Sequence, residues 1–196
     1  MEQFITDPIT CKIIRSSRKT LALEINADGL VVRAPKHVSD AEIKFYIQKH
    51  RNWIEKNLKK AQERQTVEDN IVPLTDEELK ALAKEAATVI KERVEYYAPK
   101  VGVTYNRITI RNQRTKWGSC SGKGNLSFNC LLLLAPPEVL DSVVVHELCH
   151  LKEMNHSEKF YAEVLRVYPD YPTWNSWLKD NGNLLIKRMP KYHKEK

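Results

Sequence analysis

The chain has 196 residues, 42% of them hydrophobic and 29% charged, with a formal net charge of +7. This composition belongs to a folded globular protein of one domain, or of one domain with a small appendage, and excludes a disordered chain. The longest apolar run, residues 131–135, is far too short to span a membrane. Residues 1–8 carry Glu2 where a secretory signal needs basic residues, and no apolar segment follows. The expectation is therefore a cytoplasmic protein with no membrane partner.

The four cysteines, Cys11, Cys120, Cys130 and Cys149, form no CxxC pair. A zinc ribbon or a thioredoxin-like site is thus disfavoured, and reduced thiols are expected. The charge is uneven. Lys100, Arg107, Arg111, Arg114, Lys116 and Lys123 fall in one stretch that contains no acid. Such a run is either a solvated face or the lining of a cleft for an anionic group.

In chain order, residues 11–16, 20–25 and 30–34 read as strands, the last two joined by a turn at Asp28-Gly29. Ser39 and Glu42 form a capping-box pattern at the head of a helix expected over residues 40–62, with Ile43, Ile47, Ile54 and Leu58 as its stripe and Tyr46 and Trp53 alongside. A polar stretch at 65–70, ending at Pro73, is the best domain boundary. It divides the chain into an N-terminal region, 1–72, and a second domain, 73–196. Thr75 and Glu78 repeat the capping box for a helix running to about Tyr97, stopped by Pro99 and Gly102. Residues 105–111 and 126–131 read as strands on either side of a polar connection at 114–124. Pro136-Pro137 opens a helix expected over 137–154. Shorter helices are expected after Ser157 and over 174–179. The fold class is α+β, a small ββα region followed by a mixed domain.

The segment that carries chemistry is His146-Glu147-Leu148-Cys149-His150, an HExxH pattern on a helix. Residues four apart stand about 40° apart around a helix axis, one turn up, so both imidazoles reach one metal ion. Glu147 borders the same side and can act on a water without being a ligand. Val144, Leu148 and Leu151 fall on the opposite side and would bury the helix. The bland alternative is a pair of surface or capping histidines. A catalytic zinc needs three protein ligands and one open position. His156 is the candidate third ligand, with Asn155 supplying a left-handed exit from the helix. Glu158 and Glu163 are the rivals, and Cys149 points away.

Residues 146–160 (HELCHLKEMNHSEKF), together with 114–121 (RTKWGSCS) and 126–131 (LSFNCL), resemble the motifs of the YgjP-like metallopeptidase family, shared in part by SprT-like proteases. The N-terminal segment with Asp28-Gly29 and Trp53-Ile54 also fits. The resemblance implies a zincin-type domain with Zn2+ as cofactor, held by His146, His150 and His156, and Glu147 as catalytic acid/base. It differs from metzincins, which place Gly at the position of Glu153 and carry a Met-turn. The CxxC ribbon usual in SprT proteases that act on DNA–protein crosslinks is absent.

The expected reaction is zinc-dependent hydrolysis of a peptide or protein substrate, with Glu147 as general base. Arg114, Lys116 and Asn129 are candidates for binding substrate or stabilising an oxyanion. Equally, they can be structural supports, with Asn129 tying down a strand edge. Some family members are described as nucleoside-triphosphate pyrophosphatases acting on UTP, and the acid-free stretch suits a triphosphate. A nucleic-acid-binding module with a vestigial metal site is a third reading, which no recognisable motif supports.

Overall fold

The computed structural model describes residues 2–6, 9–26 and 29–190. The chain divides into two compact units, Met1–Asn70 and Ile71–Lys196, each with its own apolar cluster. None of the described helices is long and apolar enough to cross a membrane.

The first unit is a four-stranded sheet followed by two helices. The strands are β1 (Glu2–Thr6), β2 (Ile9–Ser16), β3 (Ala22–Asn26) and β4 (Gly29–Pro35), in the order β1-β2-β4-β3. The β3–β4 pairing is the expected antiparallel one, with Leu23 opposite Val32. The Asp28 half of the expected turn lies outside the described residues. The sheet is wider than ββα implies, because β2 joins β4 in parallel and β1 folds back antiparallel on β2. Two helices, α1 (Asp40–Lys49) and α2 (Arg51–Asp69), replace the single one expected. The break is at His50, whose φ of −105° and ψ of 16° leave the helical region, although no Gly or Pro marks it. The Ser39–Glu42 capping box forms. Ile43, Ile47 and Ile54 are buried as the stripe predicts, whereas Trp53 is exposed.

The second unit opens with α3 (Asp76–Val101), capped by the Thr75–Glu78 box. It runs past Pro99 and stops at Gly102, which caps it with φ at 79°. A left-handed cap of this kind favours glycine. Strands β5 (Arg107–Arg111), β6 (Gly118–Cys120) and β7 (Asn125–Asn129) form a sheet in the order β5-β7-β6. The short edge strand β6 lies inside what reads as an irregular connection. The strand expected over 126–131 ends at Asn129, because the Asn129 side chain accepts from Leu131 N–H and starts a 3-10 turn, Cys130–Leu134.

Then come α4 (Pro137–Cys149), α5 (Glu158–Val167) and α6 (Tyr171–Lys187). Helix α4 is buried nearly all round, against α3 on one side and α5, α6 and β6 on others. Its rotation is pinned by Asp141, which accepts two 2.6 Å bonds from the Arg93 guanidinium on α3 and a 3.0 Å bond from the Tyr97 hydroxyl. Burial pushes the Tyr97 phenol up to about 12, so it remains a donor. Val144 and Leu148 sit in the core beneath this frame, which leaves His146 on the one half-buried side of this part of the helix.

Candidate metal centre

His146 and Glu147 lie on the last turn of α4, and His150 is its C-terminal cap. The helix ends earlier than expected because the N–H groups of Lys152 and Glu153 both bond to the Cys149 carbonyl, tightening the chain into a turn. Asn155 does not adopt the left-handed conformation expected of it, since among the described residues only glycines have positive φ. The reversal is made by the tight turn instead. Ser157 then caps α5, accepting from Phe160 N–H, and this sets His156 beside the α4 histidines.

One ring nitrogen from each of His146, His150 and His156 lies within 4.8 Å of the others. The Nε2 atoms of His146 and His156 are 3.1 Å apart. Tetrahedral zinc with nitrogen ligands at about 2.0–2.1 Å places those nitrogens about 3.3 Å from one another, so the spacing fits. The chemistry of the donors fits as well. His150 Nδ1 is 3.1 Å from the Glu153 carbonyl oxygen, which can only accept. The proton is therefore on Nδ1, and the Nε2 lone pair is free for a metal. Burial, aided by the two facing imidazoles, pushes His146 down to about 4, so it stays neutral at physiological pH.

Phe160, fully buried, is the floor of the cluster. Its ring centroid is 4.9 Å from His146, 4.5 Å from His150 and 4.9 Å from His156. This one side chain on α5 limits the orientations of all three imidazoles.

Glu147 is 5% exposed, and its Oε2 has no hydrogen-bond partner. Burial pushes its carboxyl up to about 8, opposed by the positive charge of Lys116. Beside it opens a cavity of about 210 Å3 lined by the loop residues Thr115, Lys116, Trp117 and Gly118, by Ser142, Val143 and His146 of α4, and by Tyr171, Asn175 and Leu178 of α6. Glu147 itself borders this cavity, and a buried carboxyl oxygen without a partner is the kind of group that reactive sites hold in reserve.

The three tentative substrate residues part company here. Lys116 lines the cavity. Arg114 is turned to the chain's other end, where Nη2 donates to the Pro190 carbonyl oxygen at 3.2 Å. Asn129 is buried, and its amide donates to the Gln113 and Lys116 carbonyl oxygens at 2.6 and 3.1 Å. It thus holds the loop that carries Lys116. Of the rival ligands, Glu163 is occupied by Lys152 and Arg166, and Cys149 is fully buried with its thiol pushed up to about 12 by that burial.

Two residues escaped the sequence reading. Tyr171 places its hydroxyl 2.9 Å from His146 Nδ1, and its ring stacks on the imidazole. No local pattern announces it, because it stands 25 residues away on another helix. Gly118 is the second: the Glu147 side chain passes where a Cβ would be. It lies within the 114–121 motif, but no local pattern in the sequence shows that Glu147 packs against it.

The family model of YgjP-like metallopeptidase domains matches residues 19–80 and 74–181. A curated relative, the UTP pyrophosphatase of Escherichia coli (strain K12), is 31% identical over 77 residues, which is 38% of this chain. The chain spans only 46% of that relative's length. Two solved metallopeptidase zymogens show a partial likeness. Abylysin of Pyrococcus abyssi is 22% identical with a TM-score of 0.42, covering 46% of this chain and 93% of its own. Jannalysin of Methanocaldococcus jannaschii is 26% identical with a TM-score of 0.41, covering 48% and 96%.

Proposed function

The chain belongs to the YgjP-like metallopeptidase family, and we propose that it is a zinc-dependent hydrolase whose substrates are peptide bonds. The observation that carries this reading is the meeting of three imidazole nitrogens within 4.8 Å beside a buried, unpartnered Glu147 carboxylate oxygen. His146, His150 and His156 would hold the ion, as neutral imidazoles suited to zinc. Zinc, when bound, supplies Lewis acidity, which makes water more acidic and polarises the bond to be broken. Glu147 takes the proton of the attacking water and returns it to the leaving group. Glu147 is itself buried, 5% exposed, which limits its contact with bulk solvent and strengthens the interactions of its charge.

A second reading is supported by a specific observation. Lys116 stands at the cavity within an acid-free basic stretch, and a partial relative is a UTP pyrophosphatase. Under that reading the same Glu147 serves as base, and Lys116 binds phosphate oxygens.

The test is hydrolysis of casein, a peptide library and nucleoside triphosphates side by side, with a metal-free control. Zinc-dependent cleavage of peptides alone supports the first reading. Cleavage of triphosphates alone, lost in Lys116→Ala, replaces it with the second. No zinc-dependent cleavage of any of them contradicts both.

A further inference from the structure

Of the three clustered imidazoles, that of His156 is the exposed one. It borders helix α5, whose outward face lacks the polar character usual for a surface helix. Phe160 and Val164 bury the inner side of α5. One position on from each of them, Tyr161 and Leu165 are both 41% exposed. These two stand four apart, one turn above the other, so they form one continuous strip. Among the described residues eight large apolar side chains are exposed, and three of them, Met154, Tyr161 and Leu165, fall within the short segment that contains His156. A single exposed apolar residue carries no message, but a group of them at the rim of a site does. Tyr161 ties the strip to the site. Its ring centroid is 6.2 Å from that of His156 and 6.4 Å from that of Tyr171, which lines the cavity beside Glu147. The strip is also held still. Besides the buried Phe160 and Val164, Arg166 of α5 donates to the Lys100 carbonyl oxygen in the last turn of α3 at 3.0 Å.

Resting on the hydrolase reading above, we propose that the strip of Tyr161 and Leu165 selects the substrate: it takes an apolar side chain of the peptide, aromatic or aliphatic, near the bond to be cleaved. A peptide that lies across the exposed His156 has its backbone at the histidine cluster and a side chain over α5. Removing the strip and the incoming side chain from water drives the contact, and a strip fixed beforehand needs little ordering on binding. Met154, in the turn between His150 and His156, adds a flexible apolar side chain at the same rim. The strip does not suit a triphosphate. It offers apolar atoms, and the exposed acid Glu158 stands three residues before Tyr161, on the same side of the helix, where it repels phosphate. The two sides of the site therefore differ, with Lys116 on the loop before β6 and the apolar strip on α5.

The test uses the full, zinc-loaded chain carrying Glu147→Gln, so that bound peptide stays intact. Binding of short fluorescein-labelled glycine peptides with one central residue X, which is Phe, Leu, Ser or Glu, is read by anisotropy. Peptides with Phe or Leu are expected to bind about 10-fold more tightly than those with Ser or Glu, the lower end of what a few methylene groups contribute to selectivity. Adding Tyr161→Ser or Leu165→Ser should each reduce that ratio to about 3-fold or less, and Tyr161→Leu should keep it. The Tyr161 ring also meets the Phe160 and His156 rings, so zinc affinity is followed in parallel by chelator competition. Leu165→Ser gives the same test at a distance of one turn. Tyr96→Ser, at an exposed residue of α3, is the control and should leave the ratio as it is. Binding that does not depend on X, a ratio unchanged in both α5 variants, or a ratio lost equally in Tyr96→Ser overturns the proposal. So does UTP binding that weakens in Tyr161→Ser without any peptide preference, since the ring then stacks on a nucleobase. These readouts need no turnover. Peptide preference in binding, with no peptide cleaved by the wild type, supports the strip and contradicts the hydrolase reading separately.

Discussion

Gly118 and Glu147 approach so closely that a Cβ on Gly118 would lie 2.6 Å from both the Cγ and the Oε1 of Glu147. The edge strand β6 is therefore in contact with the proposed base, and the absence of a side chain there gives the carboxylate its position. Gly118→Ala forces Glu147 into another rotamer or pushes the strand away. The expected outcome is a turnover loss of at least about 10-fold with zinc retained, and a destabilisation of about 1–3 kcal/mol, the usual cost of overpacking. Kinetics and thermal melts at matched zinc content check both parts. Wild-type turnover in this variant would show that the Glu147 position is not held by the strand.

The ligand set makes a second prediction. His156 is exposed and comes from beyond the helix, with its Nε2 3.1 Å from that of His146. His156→Ala is expected to weaken zinc binding by more than the about 10–100-fold that an outer partner costs. Metal content after dialysis against a weak chelator measures it. Full retention would remove His156 from the set and leave His146 and His150 with a ligand from elsewhere.

The contrast between these residues explains what the amino-acid pattern can carry. His146 and His150 were legible as a pair because helical spacing alone puts them on one face, opposite the buried Val144 and Leu148. His156 does come beside the pair, but not by the local geometry that the sequence suggests. A tight turn bonded to the Cys149 carbonyl replaces the left-handed Asn155, because carbonyls at a helix end accept from whatever N–H groups the chain can fold back. The His50 break between α1 and α2 left no trace, as histidine is neither a strong helix former nor a breaker. Tyr171 could not be seen at all, since its partner is fixed by the packing of α6 on α4 and not by any repeat. The end of β7 was readable in retrospect: Asn129 before a run of apolar residues is a cap that draws the chain out of the strand.

A third prediction concerns acid stability. Glu163 on α5 accepts from Lys152 Nζ at 2.6 Å and from Arg166 Nη2 at 2.7 Å, and Arg166 also donates to the Lys100 carbonyl oxygen at the end of α3. The Arg166 hydrogen bonds, followed by those of Lys152, hold the Glu163 carboxyl at about 2, below its ordinary 4.5. A depressed carboxyl stabilises the fold fully above the ordinary value and loses that contribution as pH falls through about 2. Glu163→Gln should therefore lower stability at pH 7 by about 1 kcal/mol, the partners being partly exposed and screened. The Tm gap between variant and wild type should persist down to about pH 5 and close toward pH 2. A gap that stays constant to pH 2 would contradict this.

The ion pair that orients α4 gives a fourth. Asp141 is 8% exposed and receives both arms of Arg93 together with the Tyr97 hydroxyl. Asp141→Ala strands the guanidinium and should cost about 2–4 kcal/mol. Because the pair fixes the rotation of α4, zinc affinity should also fall. Arg93→Met, which removes the charge and keeps the aliphatic stem, leaves Asp141 buried with one weaker donor and should cost about as much. Denaturant titration with parallel zinc measurements checks both. Destabilisation with unaltered zinc affinity would show that α4 keeps its orientation without the pair.

The central claim is that the chain holds a metal with three histidines and carries out its chemistry with Glu147. Glu147→Gln keeps the shape of the side chain and removes the base. Since burial already pushes the Glu147 carboxyl up to about 8, a neutral amide suits the site, and zinc content and Tm should change little. The decisive measurement is the turnover of zinc-loaded Glu147→Gln against zinc-loaded wild type, on whichever substrate the wild type cleaves. A loss of at least about 100-fold, the scale for removing a general acid/base, is the predicted result. Turnover equal to wild type at equal zinc content would contradict the assignment of Glu147, and with it the account of this site as a hydrolytic centre.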